Sequence, residues 1–158
     1  MNEEEAMTPT LQPQAARNVL LATFFVRDTF CALDAATVQE VIRLSAVTRV
    51  RHAPPEVAGI VNLRGRIVTI LDIGQKLGFP PASPSRESRV FIIEDRNEFI
   101  GLLVDRVGEV VEVENDHWQP PPANVPGGQA RFFKGVCRTA GRVVAVVNAA
   151  RILAEAAQ

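Results

Sequence analysis

Apolar residues in this chain come in short runs separated by turn chemistry, and that pattern predicts strands rather than helices. Val19 to Val26 is rich in β-branched and aromatic residues and reads as a first strand. Arg27-Asp28-Thr29 is a turn, and Phe30 to Leu33 returns as a second strand. Val38 to Arg43 fits strand or helix by period alone, and its β-branched content favours an extended or short mixed element. Ser45 to Glu56 is a connection in which Pro55 to Val57 could open a single helical turn. Arg89 to Ile93 and Phe99 to Val104 flank the turn Asp95-Arg96-Asn97-Glu98, and Val107 to Val113 alternates apolar with polar.

The most regular stretch is Gly59 to Asp72, which reads as strand, tight turn, strand and helix start. Asn62 to Gly65 is turn chemistry, because Asn tolerates unusual backbone angles and Gly supplies a positive φ. Asp72 with Gln75 is an N-cap and capping-box pattern. The same unit returns at Gly135 to Asn148 without a gap. Gly65 meets Gly141, Arg66 meets Arg142, and the cap Asp72 meets Asn148. One position does not match: Arg64 faces Ala140. A hairpin that needed Arg for its fold would need it twice, so Arg64 stands out as a functional candidate.

The repeat extends upstream. Phe30 to Leu33 aligns with Phe99 to Leu102, and Val38 to Ile42 with Val107 to Val111. Extra residues in the second copy fall in His117 to Phe133, a proline- and glycine-rich stretch suited to a surface loop. The expected architecture is mainly β: tandem modules of about five short strands and a short helix, partly closed barrels, with lobe one at about 19–80 and lobe two at about 89–155. A half of this size is marginal alone, so the lobes should share an apolar seam with a groove between them. Residues 1–18 read as a flexible, acidic tail.

Composition narrows the function classes. Apolar residues make up 47% of the 158, enough for a core. The formal net charge is -1, from 17 basic and 18 acidic residues without a basic block, which argues against nucleic acid as partner. No apolar run is long enough to span a bilayer, and the start Met-Asn-Glu-Glu-Glu has the wrong charge for a secretory signal, so a cytoplasmic protein is expected. Cys31 and Cys137 then read as small buried hydrophobes rather than a disulfide. His52 and His117 lack companions at metal-ligand spacing, Gly127-Gly128 lacks the Lys-Ser of a phosphate loop, and the carboxylates form no acid–base pair. No metal, cofactor or catalytic set is expected. The residues alone imply a two-lobed β-adaptor with one conspicuous arginine.

The run Gly59-Ile60-Val61-Asn62-Leu63-Arg64-Gly65-Arg66-Ile67-Val68-Thr69-Ile70-Leu71-Asp72-Ile73 resembles the signature of the CheW-like family, the adaptors of bacterial chemosensory arrays. Val38-Gln39-Glu40-Val41 and Gly101-Leu102-Leu103-Val104-Asp105-Arg106-Val107 are similar to two further family segments, and the likeness runs from about Val19 to Ala154. Thr69 stands where the family usually has Pro, and Asn148 where Asp is common. The resemblance implies two intertwined five-stranded SH3-like barrels, with strands exchanged between lobes, and no enzymatic activity. It implies two partners: the cytoplasmic tip of a methyl-accepting chemoreceptor, and the regulatory domain of a CheA-type histidine kinase. It maps receptor and kinase coupling onto Arg64, in the turn with Asn62 and Gly65, and onto Glu40. Their opposite charges predict that the two lie near each other and that the pair orients the Arg64 stem. Val38, Ile42 and Val104 would furnish the receptor groove. Such a protein would be recruited to membrane-anchored receptor arrays. The alternatives are a CheW-like adaptor of a non-motility pathway and a ligand-binding module using the cleft between lobes.

Overall fold

The computed structural model describes residues 18–114, 118–120 and 126–156. Residues 1–17, His117 and 121–125 of the proline-rich stretch lie outside the described residues. Ten strands follow in order: β1 Asn18–Val26, β2 Thr29–Asp34, β3 Val38–Arg43, β4 Val57–Leu63, β5 Arg66–Asp72, β6 Arg89–Asp95, β7 Glu98–Val104, β8 Arg106–Glu114, β9 Phe133–Thr139 and β10 Arg142–Val147. Short helices Ile73–Lys76 and Ala149–Ala156 follow β5 and β10, and 3-10 turns occupy Ala35–Thr37 and Pro126–Phe132. The ambiguous segment after Asp34 is thus a strand. Pro55 opens no helical turn: the Val57 amide closes a simple turn on the Pro54 carbonyl.

The strands form two five-stranded mixed sheets, ordered β8-β1-β2-β10-β9 and β3-β6-β7-β5-β4. Neither sheet comes from one half of the sequence. The hairpin β1–β2 opens the chain but pairs with β8 and β10, while β6–β7 pairs with β3 and β5. The stretches 19–80 and 89–155 are therefore repeats in sequence without being separate units in space. Each exchanged hairpin joins its host through a parallel pair, β2 to β10 and β7 to β5.

Exchange explains the burial pattern. A strand with both faces covered reads as an unbroken apolar run. In β6, Val90 and Ile92 point into the interior of their own barrel, while Phe91 and Ile93 point into a core shared with the other sheet. In β1, Leu21 fills the interior of the first sheet, and Ala22, Phe24 and Val26 join the shared core. There Phe24 and Phe91 meet edge to face at 5.4 Å between ring centroids. Both short helices seal this core at matching positions, Ile73 and Leu77 from one, Ala149 and Leu153 from the other. Phe132 also enters it, so the end of the proline-rich stretch is an anchored 3-10 turn, where the sequence suggested only a surface loop.

Candidate functional site

The β4–β5 hairpin ends in a two-residue turn in which Arg64 has φ 52 and Gly65 φ 85. Two consecutive left-handed residues are the geometry that matches strand twist in a tight hairpin. Asn62 works differently from expectation. Its backbone is in the strand, and its side-chain Oδ1 accepts the Gly65 amide at 2.9 Å. The β9–β10 hairpin repeats the turn with Ala140 at φ 53 and Gly141 at φ 76. An alanine meets the same backbone demand, so the turn geometry does not call for the Arg64 side chain.

That side chain reaches Glu40 as a fork. Nη1 donates to Oε2 at 3.2 Å and Nη2 donates to Oε1. The hydrogen bonds to Arg64 hold the Glu40 carboxyl below the usual carboxylate range and raise the guanidinium further. The Arg64 side chain is 68% exposed and that of Glu40 31%, so the pair sets direction rather than fold stability. Its span is informative: β3 is one edge of its sheet and β4 the other. The ion pair crosses the open seam between those edges.

Beside Glu40 lies an apolar groove of about 410 Å³ between the two sheets. Ala22 and Phe91 form its floor, Val38 and Val41 one wall, Val107 and Val110 the other. The walls are the edge strands β3 and β8, and the opposing residues are repeat equivalents. Both strands carry a β-bulge at the same repeat position, between Val38 and Glu40 and opposite Ala22 to Phe24. Bulges re-aim side chains and spoil an edge as a template for another strand. In β8 the bulge is fixed by Thr23 Oγ1, which donates to the Glu109 carbonyl at 2.5 Å, and a side chain at Gly108 would overlap that hydroxyl. Val41 and Val110 remain 46% and 60% exposed on the two walls.

A family model described as CheW-like domain matches residues 21–157. The chain belongs to the CheW-like domain family. It is 30% identical to the chemotaxis protein CheW of Rhizobium meliloti, over 81% of this chain and 83% of that protein. It is 26% identical to a probable chemotaxis protein CheW of Rhizobium etli, over 85% and 87% of the two chains. The crystal structure of the scaffolding protein TtCheW from Thermoanaerobacter tengcongensis superposes with a TM-score of 0.73 at 27% identity, covering 82% of this chain and 83% of that one.

In this CheW-like chain the residues singled out from sequence divide. Arg64, Asn62, Gly65, Glu40 and Val38 come together around the hairpin tip and the groove rim. Two do not join them. Val104 is 1% exposed and belongs to the shared core, so it offers no surface to a partner. Ile42 packs, half-buried, against the interior of its own barrel. The bulge explains Ile42, because it changes which residues of β3 face the groove; Val104 lies at the end of β7, outside both bulged strands. Val41, Val107 and Val110 replace them, and the repeat alignment of Val38-Gln39-Glu40-Val41 on Val107 to Val110 was the available signal.

Arg27, read from sequence as a turn residue, meets Asp105, which the sequence placed within a family-like segment. The Asp105 carboxylate accepts the Arg27 amide at 2.5 Å and its guanidinium at 3.0 Å. Arg27 also donates to the Pro80 carbonyl and lies over the Phe79 ring. This joint ties the β1–β2 turn to the start of β8, and so fixes one groove wall. Asp72 caps its helix through the Gly74 and Gln75 amides and also accepts the Ala82 amide. Its own amide goes to the Glu56 carbonyl, so Gln75 does not close the expected capping box. A second cavity, about 530 Å³, lies on one barrel rather than between the sheets, lined by Leu44, Val47, Asp72, Pro81 and Leu103 among others. Its carboxylate is committed to those three amides. Among the described residues no three His, Cys, Asp or Glu are grouped to hold a metal ion, and no helix is long and apolar enough to cross a membrane.

Proposed function

We propose that this protein is a non-catalytic scaffold coupling a chemoreceptor to a CheA-type histidine kinase. The observation that carries the reading is the apolar groove built from both repeats, with the Glu40–Arg64 clasp on its rim. An amphipathic helix or helical hairpin suits such a groove, since its walls are bulged edges that would not extend a ladder. The cytoplasmic tip of a receptor is the occupant we assign. The kinase's regulatory domain docks on the β4–β5 hairpin face, where Ile67 is 61% exposed beside Arg64 and Arg66. Family membership and the scaffold and chemotaxis names of the relatives support this assignment.

The test is binding of the purified chain to a receptor hairpin tip and to a kinase regulatory domain from the same cell. Wild type and Arg64→Ala are compared, with circular dichroism as the control for folding. Arg64→Ala is expected to stay folded and to lose coupling. A folded wild-type protein that binds neither partner refutes the reading.

A further inference from the structure

The two walls of the groove are repeat equivalents, but their carboxylates are not equally served. Glu40 on β3 has Arg64 at the tip of the hairpin across the seam. Its equivalent on β8 is Glu109, and the hairpin position equivalent to Arg64 is Ala140. Glu109 is exposed, and its carboxylate has no hydrogen-bond or ion-pair partner among the described residues. Only its backbone carbonyl is engaged, by Thr23 Oγ1 at 2.5 Å. That bond holds the bulge in place and with it the start of the side chain. Glu109 sits between the groove-lining Gly108 and Val110. Glu112 lies on the same edge strand, where its carboxylate accepts the neutral Asn18 amide, and Arg106, at the start of β8, lies over the Phe25 ring. No cation of β8 is thus shown on Glu109, and its carboxylate favours one from outside.

We propose that Glu109 is a second partner-contact carboxylate, accepting an arginine or lysine that the docked helical hairpin brings to the β8 wall. The inference rests on the reading of the groove as the receptor site. One wall then carries a carboxylate already neutralised from within the chain. The other carries one that only the partner neutralises. Charge at a rim governs orientation and approach more than gross affinity, which comes from the valines.

The experiment is calorimetric titration of the full chain with a purified chemoreceptor hairpin-tip fragment. Four variants are compared with wild type: Glu109→Gln, Glu109→Lys, Ala140→Arg and Val41→Glu. Glu109→Gln is expected to weaken binding about five- to tenfold and Glu109→Lys further, as for loss and reversal of a rim contact to a charged group. Ala140→Arg supplies the internal cation that Arg64 gives Glu40, on a turn whose φ of 53 matches the 52 of Arg64. It should weaken binding as Glu109→Gln does, by occupying the carboxylate without removing it. All three positions are exposed, and unchanged thermal melting is required of each variant. If Val41→Glu abolishes binding while the three changes at Glu109 and Ala140 leave it within twofold of wild type, the proposal is overturned and the groove reading stands. If Val41→Glu binds as wild type does, the groove reading itself is refuted and the proposal falls with it.

Discussion

The groove valines allow a quantitative test, because their free surface can be weighed before any partner is added. A Val→Ala change removes two carbon atoms, each contributing about 0.8 kcal/mol when taken fully from water into a dry interface. Val41 still has 46% of its surface exposed and Val110 60%, so docking can gain only that share. The expected losses are about 0.7 kcal/mol for Val41→Ala and about 1 kcal/mol for Val110→Ala, and about 1.7 kcal/mol for both if they add. In dissociation constants these are roughly threefold, fivefold and fifteen- to twentyfold. The assay is titration of each variant with a receptor hairpin tip, with a urea unfolding curve for each. Stability should hardly move, because surface positions outside the core usually change it by less than about 0.5 kcal/mol. Val143→Ala is the control: Val143 is 53% exposed but lies on β10, away from the groove. Equal affinity of wild type and the Val41/Val110 double variant, both folded, would refute the reasoning. So would a loss in the Val143 control as large as in the double variant, since the effect would then follow exposed apolar area anywhere.

Three further outcomes are expected. Asp72→Ala strands the Gly74, Gln75 and Ala82 amides and should destabilise by about 2–3 kcal/mol, whereas Asn148→Ala, which frees only the Arg151 amide, should cost about 1 kcal/mol, both read by chemical denaturation. The Glu40 carboxyl is depressed by its hydrogen bonds to Arg64, so its interaction is complete above the ordinary carboxylate range and is lost as pH falls through the lowered value; an NMR titration of its side-chain carboxyl should give a midpoint in wild type below that in Arg64→Ala. Burial pushes the Cys31 thiol up to about 12, so a disulfide-exchange reagent at mildly alkaline pH should leave it unmodified in the native protein and label it after unfolding.

The strands were legible because their apolar runs and turn residues are local signals. The β4–β5 hairpin, its cap and its repeat at β9–β10 could all be read from Gly59 to Asp72 and Gly135 to Asn148. The exchange of hairpins was not legible from periodicity. β1 and β6 have the same continuous apolar pattern whichever neighbour they take, and only the family resemblance raised the possibility. The bulge at Gln39 was likewise hidden, because an extra residue in a strand leaves no mark in an alternation this short. That is why Ile42 was expected in the groove and Val41 was not. Val104 misled for a related reason: at the end of β7 an apolar residue can face core or solvent, and the Arg27–Asp105 joint that turns it inward depends on residues far apart in sequence.

A duplicated scaffold faces a problem of direction. Equivalent walls, taken by themselves, offer a docking helix two orientations related by the internal pseudo-symmetry. Discriminating between them tenfold needs a difference of about 1.4 kcal/mol, which the wall valines do not supply, since Val38 opposes Val107 and Val41 opposes Val110. The differences between the walls lie in polar and small residues: Gln39 against Gly108, and Arg64 against Ala140. On the proposed reading, a basic side chain of the partner meets a neutralised carboxylate in one orientation and a free one in the other. The symmetry-related copy of Arg64 would remove that preference. Ala140→Arg should therefore reduce affinity and also let the receptor tip bind in both directions. A paramagnetic label at one end of the tip would then broaden signals from both walls, where wild type shows broadening on one.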